Sequence, residues 1–106
     1  RFESRGLGDV YKRQDISPAA PVHILVIPKG PYVSHDHFAI EASDEEVLDY
    51  TRAVGEVCKI TGVQPSSGGS GFRSIANAGQ DAIQEVPHFH THIIGGRNLG
   101  RMISPT

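Results

Sequence analysis

Pro87-His88-Phe89-His90-Thr91-His92-Ile93-Ile94-Gly95-Gly96 is the stretch that decides the fold and the chemistry of this chain. In an extended strand successive side chains point to opposite faces, so the alternation predicts a strand over residues 86–94. His88, His90 and His92 then form a row on one side, with Phe89, Thr91 and Ile93 on the other. Neighbours in such a row stand about 6.5–7 Å apart, close enough to serve one ligand. A single strand histidine is usually a satisfied structural residue; three in strict alternation, followed by a glycine pair, point to chemistry. Two chemistries are open. A His-x-His pair can chelate zinc, with His35, Asp36 and His37 as further donors. Those three have no recognisable metal spacing, and the two histidines read as solvated loop residues. Alternatively the histidines act on phosphate as nucleophile, acid and orienting group, because imidazole, with an ordinary pKa of about 6.5, is both base and acid near neutrality.

Working outward, Val22-His23-Ile24-Leu25-Val26-Ile27 is a β-branched apolar run stopped by Pro28, a buried strand that carries His23. Residues 28–42, with Pro28, Gly30 and Pro31, read as loop. Ser43 and Glu46 form a capping-box pattern, and Asp44 and Glu45 add negative charge at a helix start. Val47, Tyr50, Val54, Val57 and Ile60 then recur at helical spacing until Gly62 stops the helix. Residues 64–71 have loop composition, residues 72–77 alternate as a strand, and a second loop runs from Ala78 to Gln84. The order strand, helix, strand, strand predicts an α+β domain, an antiparallel sheet with a packed helix.

One domain is the most that 106 residues allow, and a chain this short buries only a modest share of its surface. Hydrophobic residues make up 38% and no apolar run approaches the length of a membrane span, so no membrane partner is expected. The net charge of −2 gives no broad basic surface for nucleic acid. Cys58 is the single cysteine and excludes an internal disulfide. It reads as a half-buried helix residue, and with no secretory signal a cytoplasmic location is the default expectation. Residues 1–14 show neither helical nor strand periodicity, and the stretch Gly-Leu-Gly-Asp-Val-Tyr-Lys-Arg-Gln within them resembles translated sequencing-adapter read-through. They are expected to be a non-native or disordered segment, with the domain proper over 15–106.

His-Φ-His-Φ-His-Φ-Φ, with Φ apolar, is the pattern of the histidine-triad (HIT) family, and residues 88–94 match it except that Thr91 replaces an apolar residue. The block from Asp15 to Lys29, and Asn77 to Gly79 with Gln84, also resemble the family. Ile94-Gly95-Gly96-Arg97 is similar to its Hint-like branch, the nucleoside phosphoramidases, rather than to the dinucleoside polyphosphate hydrolases. The resemblance covers residues 15–106 and implies a HIT-like fold and a hydrolase of purine nucleoside 5′-phosphoramidates or related conjugates. The alternatives are a dinucleoside polyphosphate hydrolase, a nucleotide-binding interaction module with little turnover, and a metal-binding module. By the same resemblance His90 is the nucleophile that forms a nucleotidyl-histidine intermediate, His92 contacts the phosphate and helps protonate the leaving group, His88 supports the nucleophile, and His23 completes the network. Asn77 contacts phosphate or sugar, Asp15 accepts from the ribose hydroxyls, Ile16 lines the nucleoside pocket, and Gly79 and Gln84 belong to the binding loop. Glu85 stands where some Hint-like proteins have serine, which affects leaving-group preference. No cofactor is required, although zinc can bind adventitiously. A homodimer through Val54, Val57 or Phe72 is implied, and base binding is expected to be weak because residues 1–14 do not resemble the family's usual apolar wall.

Overall fold

The computed structural model describes residues 3–4 and 10–103 of the chain. Five antiparallel strands, β1 (Glu3–Ser4), β2 (Val10–Gln14), β3 (Val22–Pro28), β4 (Phe72–Ile75) and β5 (Thr91–Gly95), form one sheet in the order β1-β2-β3-β5-β4. A short helix α1 (His35–Glu41) and a long helix α2 (Asp44–Thr61) separate β3 from β4. The α+β class and the antiparallel sheet are as the sequence predicts. Among the described residues no helix is long and apolar enough to cross a membrane.

β3 lies against β5 with Ile24 opposite Ile93, Leu25 opposite His92 and Val26 opposite Thr91. Alternation then divides the sheet. Ile24, Val26 and Ile93 are buried and join Tyr50, Ala53, Val57 and Cys58 of α2 in the core, while Leu25, Ile27, His92 and Ile94 share the other face. Helix α2 begins with both halves of the Ser43–Glu46 capping box and ends at Gly62, whose φ of 77° is the left-handed stop that glycine favours. Its inner face is rotated from the expected one. Ala53, Val57 and Cys58 are buried with Tyr50, whereas Val47 and Ile60 are exposed, because small Ala53 lets the helix approach the sheet along that line.

Three expectations are corrected. Residues 1–14 do not lie outside the fold over β2: Val10 and Lys12 are buried, Lys12 Nζ is paired with the Glu56 carboxylate of α2, and the strand is laddered to β3 from Val10↔Pro28 to Gln14↔Ile24. Residues 28–42 are not all loop, since α1 occupies seven of them. A helix of two turns is too short for periodicity to register, and it is held by Phe38, which is buried against the rings of Tyr32, Tyr50 and Phe89. His35 stacks on Phe89 with ring centroids 4.8 Å apart, and His37 Nδ1 accepts from the Val33 amide, so neither is a merely solvated loop histidine. Finally, the triad strand starts at Thr91 rather than residue 86. Pro87 and Pro28 lack amide protons for the ladder, and the Phe89 amide donates to the Tyr32 carbonyl instead. His88 and His90 therefore precede β5, and the three histidines do not form a flat row.

Thr91, the departure from the family pattern, is buried with its hydroxyl satisfied. Tyr50 Oη donates to the Val26 carbonyl at 2.7 Å, so the 2.6 Å contact between Thr91 Oγ1 and Tyr50 Oη has the threonine as donor. Tyr50→Phe strands both the Thr91 proton and a carbonyl lone pair, and is expected to cost about 1–3 kcal/mol in urea unfolding. Adding Thr91→Val should recover part of that loss, because it removes the stranded donor.

Candidate active site

The sheet face opposite the helices carries the histidines. His23, buried in β3, and His92, half-buried in β5, are diagonal neighbours across the pair, and His23 Nε2 lies 2.8 Å from His92 Nδ1. His90 stands just before β5 with its ring centroid 5.1 Å from that of His92. Asp15, which follows β2, brings one carboxylate oxygen within 3.3 Å of His23 Nε2, while the other accepts from the Ser17 amide at 2.8 Å. Four of the residues named from the sequence are thus brought together.

Hydrogen-bond partners assign the proton on each ring. His90 Nδ1 is 2.8 Å from the His88 carbonyl oxygen, an acceptor only, so Nδ1 carries the proton and Nε2 keeps its lone pair. Among the described residues that Nε2 has no protein partner. His88 Nε2 likewise donates to the Pro28 carbonyl at 2.8 Å. The support His88 gives the middle histidine thus comes from its main chain, while its ring ties the segment to the end of β3. His23 Nδ1 receives the Ala19 amide at 2.9 Å, which places the His23 proton on Nε2, facing His92 Nδ1. His92 is then an acceptor at Nδ1 and a donor at Nε2. Burial holds the His92 pKa below the usual histidine value, the charges of His90 and His23 act in the same direction, and Asp15 opposes them. The neutral form this favours is the one the chain of hydrogen bonds describes.

Asp15, His23 and His92 also offer three donor atoms within 4.8 Å of one another, the types zinc uses. A metal at His23 Nε2 would require that nitrogen to be bare, and the Ala19 amide on Nδ1 favours its protonation. The set fits a hydrogen-bond chain better than a metal centre.

A cavity of about 630 Å³ opens beside His88 and His90, walled by Leu25 and Ile27 of β3, Tyr11 of β2 and Val86, with Arg13 and Lys29 at its edge. Its volume suits a nucleoside-sized ligand. These wall residues were missed from the sequence, although the alternation that groups the histidines also puts Leu25 and Ile27 on the face of His23. Tyr11 falls in the segment expected to contribute nothing. Of the remaining candidates, Asn77 is half-buried, two residues past the end of β4. Its side chain makes no hydrogen bond among the described residues. Gln84 is occupied internally: Oε1 accepts from the Gly79 amide at 3.0 Å, and Nε2 donates to the carbonyls of Val33 and Val86, so the pair Gly79 and Gln84 braces the loop beside the cavity. Ile16 is 90% exposed and does not line the cavity, and Glu85 is exposed.

Comparison with known proteins matches this arrangement to one family. The HIT domain model covers residues 7–99. An uncharacterised HIT-like protein of Azospirillum brasilense is 50% identical over 90 residues, spanning 85% of this chain and 70% of that one. The purine nucleoside phosphoramidase of Escherichia coli K12 is 33% identical over 94 residues, spanning 86% and 72% respectively. Among solved structures, a HIT family hydrolase from Clostridium thermocellum superposes with a TM-score of 0.81 at 32% identity, covering 97% of this chain and 85% of that one. With the histidines, their supporting strand pair and the family model in agreement over the same residues, the chain belongs to the histidine-triad family.

Proposed function

We propose that the protein is a purine nucleoside phosphoramidase of the Hint-like branch, cleaving nucleoside 5′-phosphoramidates or related conjugates through a nucleotidyl intermediate on His90. The observation that carries this reading is the bare Nε2 of His90, oriented by the His88 carbonyl, beside the Nε2–H donor of His92 and at the head of a largely apolar cavity. The 33% identity to the Escherichia coli phosphoramidase supports the substrate class.

The base lies between Leu25, Ile27 and Val86, and Asp15 accepts from the ribose hydroxyls with the lone pairs that Ser17 and His23 leave unused. His90 Nε2 attacks the α-phosphorus, and the phosphorus–nitrogen bond breaks as the amine departs. An amide anion is too basic to leave, so this step takes up one proton, passed to the nitrogen through His92. Water then attacks phosphorus, His90 is released, and a proton returns to solvent. Splitting one displacement into two in this way is nucleophilic catalysis. The Asn77 side chain and the His92 donor stabilise charge on the phosphoryl oxygens, so no metal enters the scheme.

Two copies associate in this reading. β4 ends the sheet, and its Phe72 and the Ile60 of α2 are both exposed, apolar surface that a two-fold partner would cover. Val54 is half-buried and can reach such a surface, whereas Val57 is fully buried in the core and is removed from the expected interface.

Incubation with adenosine 5′-phosphoramidate should release AMP, and faster than incubation with a diadenosine polyphosphate does. His90→Asn should lower turnover by about three orders of magnitude or more while AMP still binds, since asparagine cannot form the phosphoryl-nitrogen link. Ordinary activity in that variant would reject the mechanism. Sedimentation at micromolar concentration should give a dimer, and Phe72→Asp should shift it towards monomer.

A further inference from the structure

The 2.8 Å contact between His23 and His92 has two possible senses. With the His23 proton on Nε2, His23 donates, and His92 presents an N–H at its own Nε2. With that proton on Nδ1, His92 donates to His23 and presents a bare nitrogen, which a phosphate oxygen would repel. The contact itself does not choose between them. The Ala19 amide does, because it donates to His23 Nδ1 and is compatible with a proton only on Nε2. Asp15, 3.3 Å from the same Nε2, adds to that preference, and His90 is the remaining titratable neighbour of His92.

Ala19 lies in an exposed turn, with Ser17, Pro18 and Pro21 also exposed. What holds its far side is Arg97, whose Nη2 donates to the Ala19 carbonyl at 2.9 Å while Nη1 donates to the Asn98 carbonyl at 2.8 Å. Gly96 makes this crossing possible. A Cβ there would stand 3.0 Å from Pro21 Cβ, and the φ of 90° lies in the left-handed region that favours glycine. The Gly95-Gly96-Arg97 motif thus bends the chain leaving β5 back over the turn that precedes β3.

We propose that Arg97 is a positioning residue that acts through Ala19: it holds the turn so that the Ala19 amide stays on His23 Nδ1, and so fixes His92 as a donor toward the site. Arg97 touches neither the cavity nor the reacting histidines, so its effect is on their proton arrangement. This rests on the reading of His92 as a donor to phosphate, but the first measurement below needs no turnover and separates the two.

Long-range ¹H–¹⁵N correlation spectra of the neutral imidazoles distinguish the tautomers. In the unaltered protein His23 and His92 should both show a bare Nδ1 and a protonated Nε2. Arg97→Met should move His23 or His92 towards a mixture, and on adenosine 5′-phosphoramidate it should lower kcat about fivefold with KM little changed, the loss of one ordinary hydrogen bond. Arg97→Lys, which restores a donor to the Ala19 carbonyl, should recover most of both. Ala19→Pro removes the amide proton itself and should give the same tautomer change with Arg97 intact. A protonated Nδ1 on His23 in the unaltered protein would overturn the proposal. So would unchanged tautomers in either Arg97→Met or Ala19→Pro. If the tautomers shift as described but no phosphoramidate is cleaved by any form, Arg97 keeps its role and the proposed substrate class fails.

Discussion

The register of β3 against β5 is the constraint on which the remaining geometry hangs. Ile24 faces Ile93 and Val26 faces Thr91 on the helix side, so Leu25, His92, His23 and Ile94 are committed to the opposite side. A slip of one residue in either strand would drive its imidazole into the core and expose the apolar positions that seat α2, and burial on one face therefore sets the chemistry on the other. The order of the sheet follows. β5 lies between β3 and β4, which gives His92 a neighbouring strand on each side and leaves β4 as a free edge.

Polar groups inside this frame are paired with little left over. No buried side-chain nitrogen or oxygen among the described residues lacks a hydrogen-bond partner. The Val26–Tyr50–Thr91 chain joins β3, α2 and β5 through the core, and Lys12 with Glu56 joins β2 to the outer flank of the same helix. An unpaired polar group in such surroundings costs more than a paired one contributes, so these links specify how the layers sit as well as holding them. The histidine chain on the other face follows the same logic, with the Ala19 amide at one end determining which nitrogens of His23 and His92 carry protons.

The sequence made strand β3, helix α2 with its capping box, and the importance of the triad legible, because each is written in local periodicity or in a short spacing. What it hid is non-local. The flat row of histidines was an extrapolation of alternation past Pro87 and Pro28, and the ladder ends where two prolines cannot donate. Helix α1 exists because Phe38 meets Tyr50 and Phe89, residues 12 and 51 positions further along, a contact with no trace in a seven-residue window. β2 lacked a pattern because its inward position after Val10 is Lys12, and only the distant Glu56 makes that burial tolerable. The cavity wall was partly available, since Leu25 and Ile27 share the parity of His23, whereas Ile16, named by resemblance, points to solvent.

The hydrogen bond from His90 Nδ1 to the His88 carbonyl divides one residue between two kinds of inheritance. A carbonyl is carried by every amino acid, so the orientation of the His90 ring survives any substitution at position 88 that keeps the local backbone path. The ring of His88, by contrast, is individual: it fastens the segment to Pro28 and forms part of the cavity wall. Drift at the first histidine of the triad would therefore alter the shape and rigidity of the pocket before it altered the nitrogen that His90 presents, which makes that position a natural place for a change in ligand preference with the geometry of the middle histidine preserved.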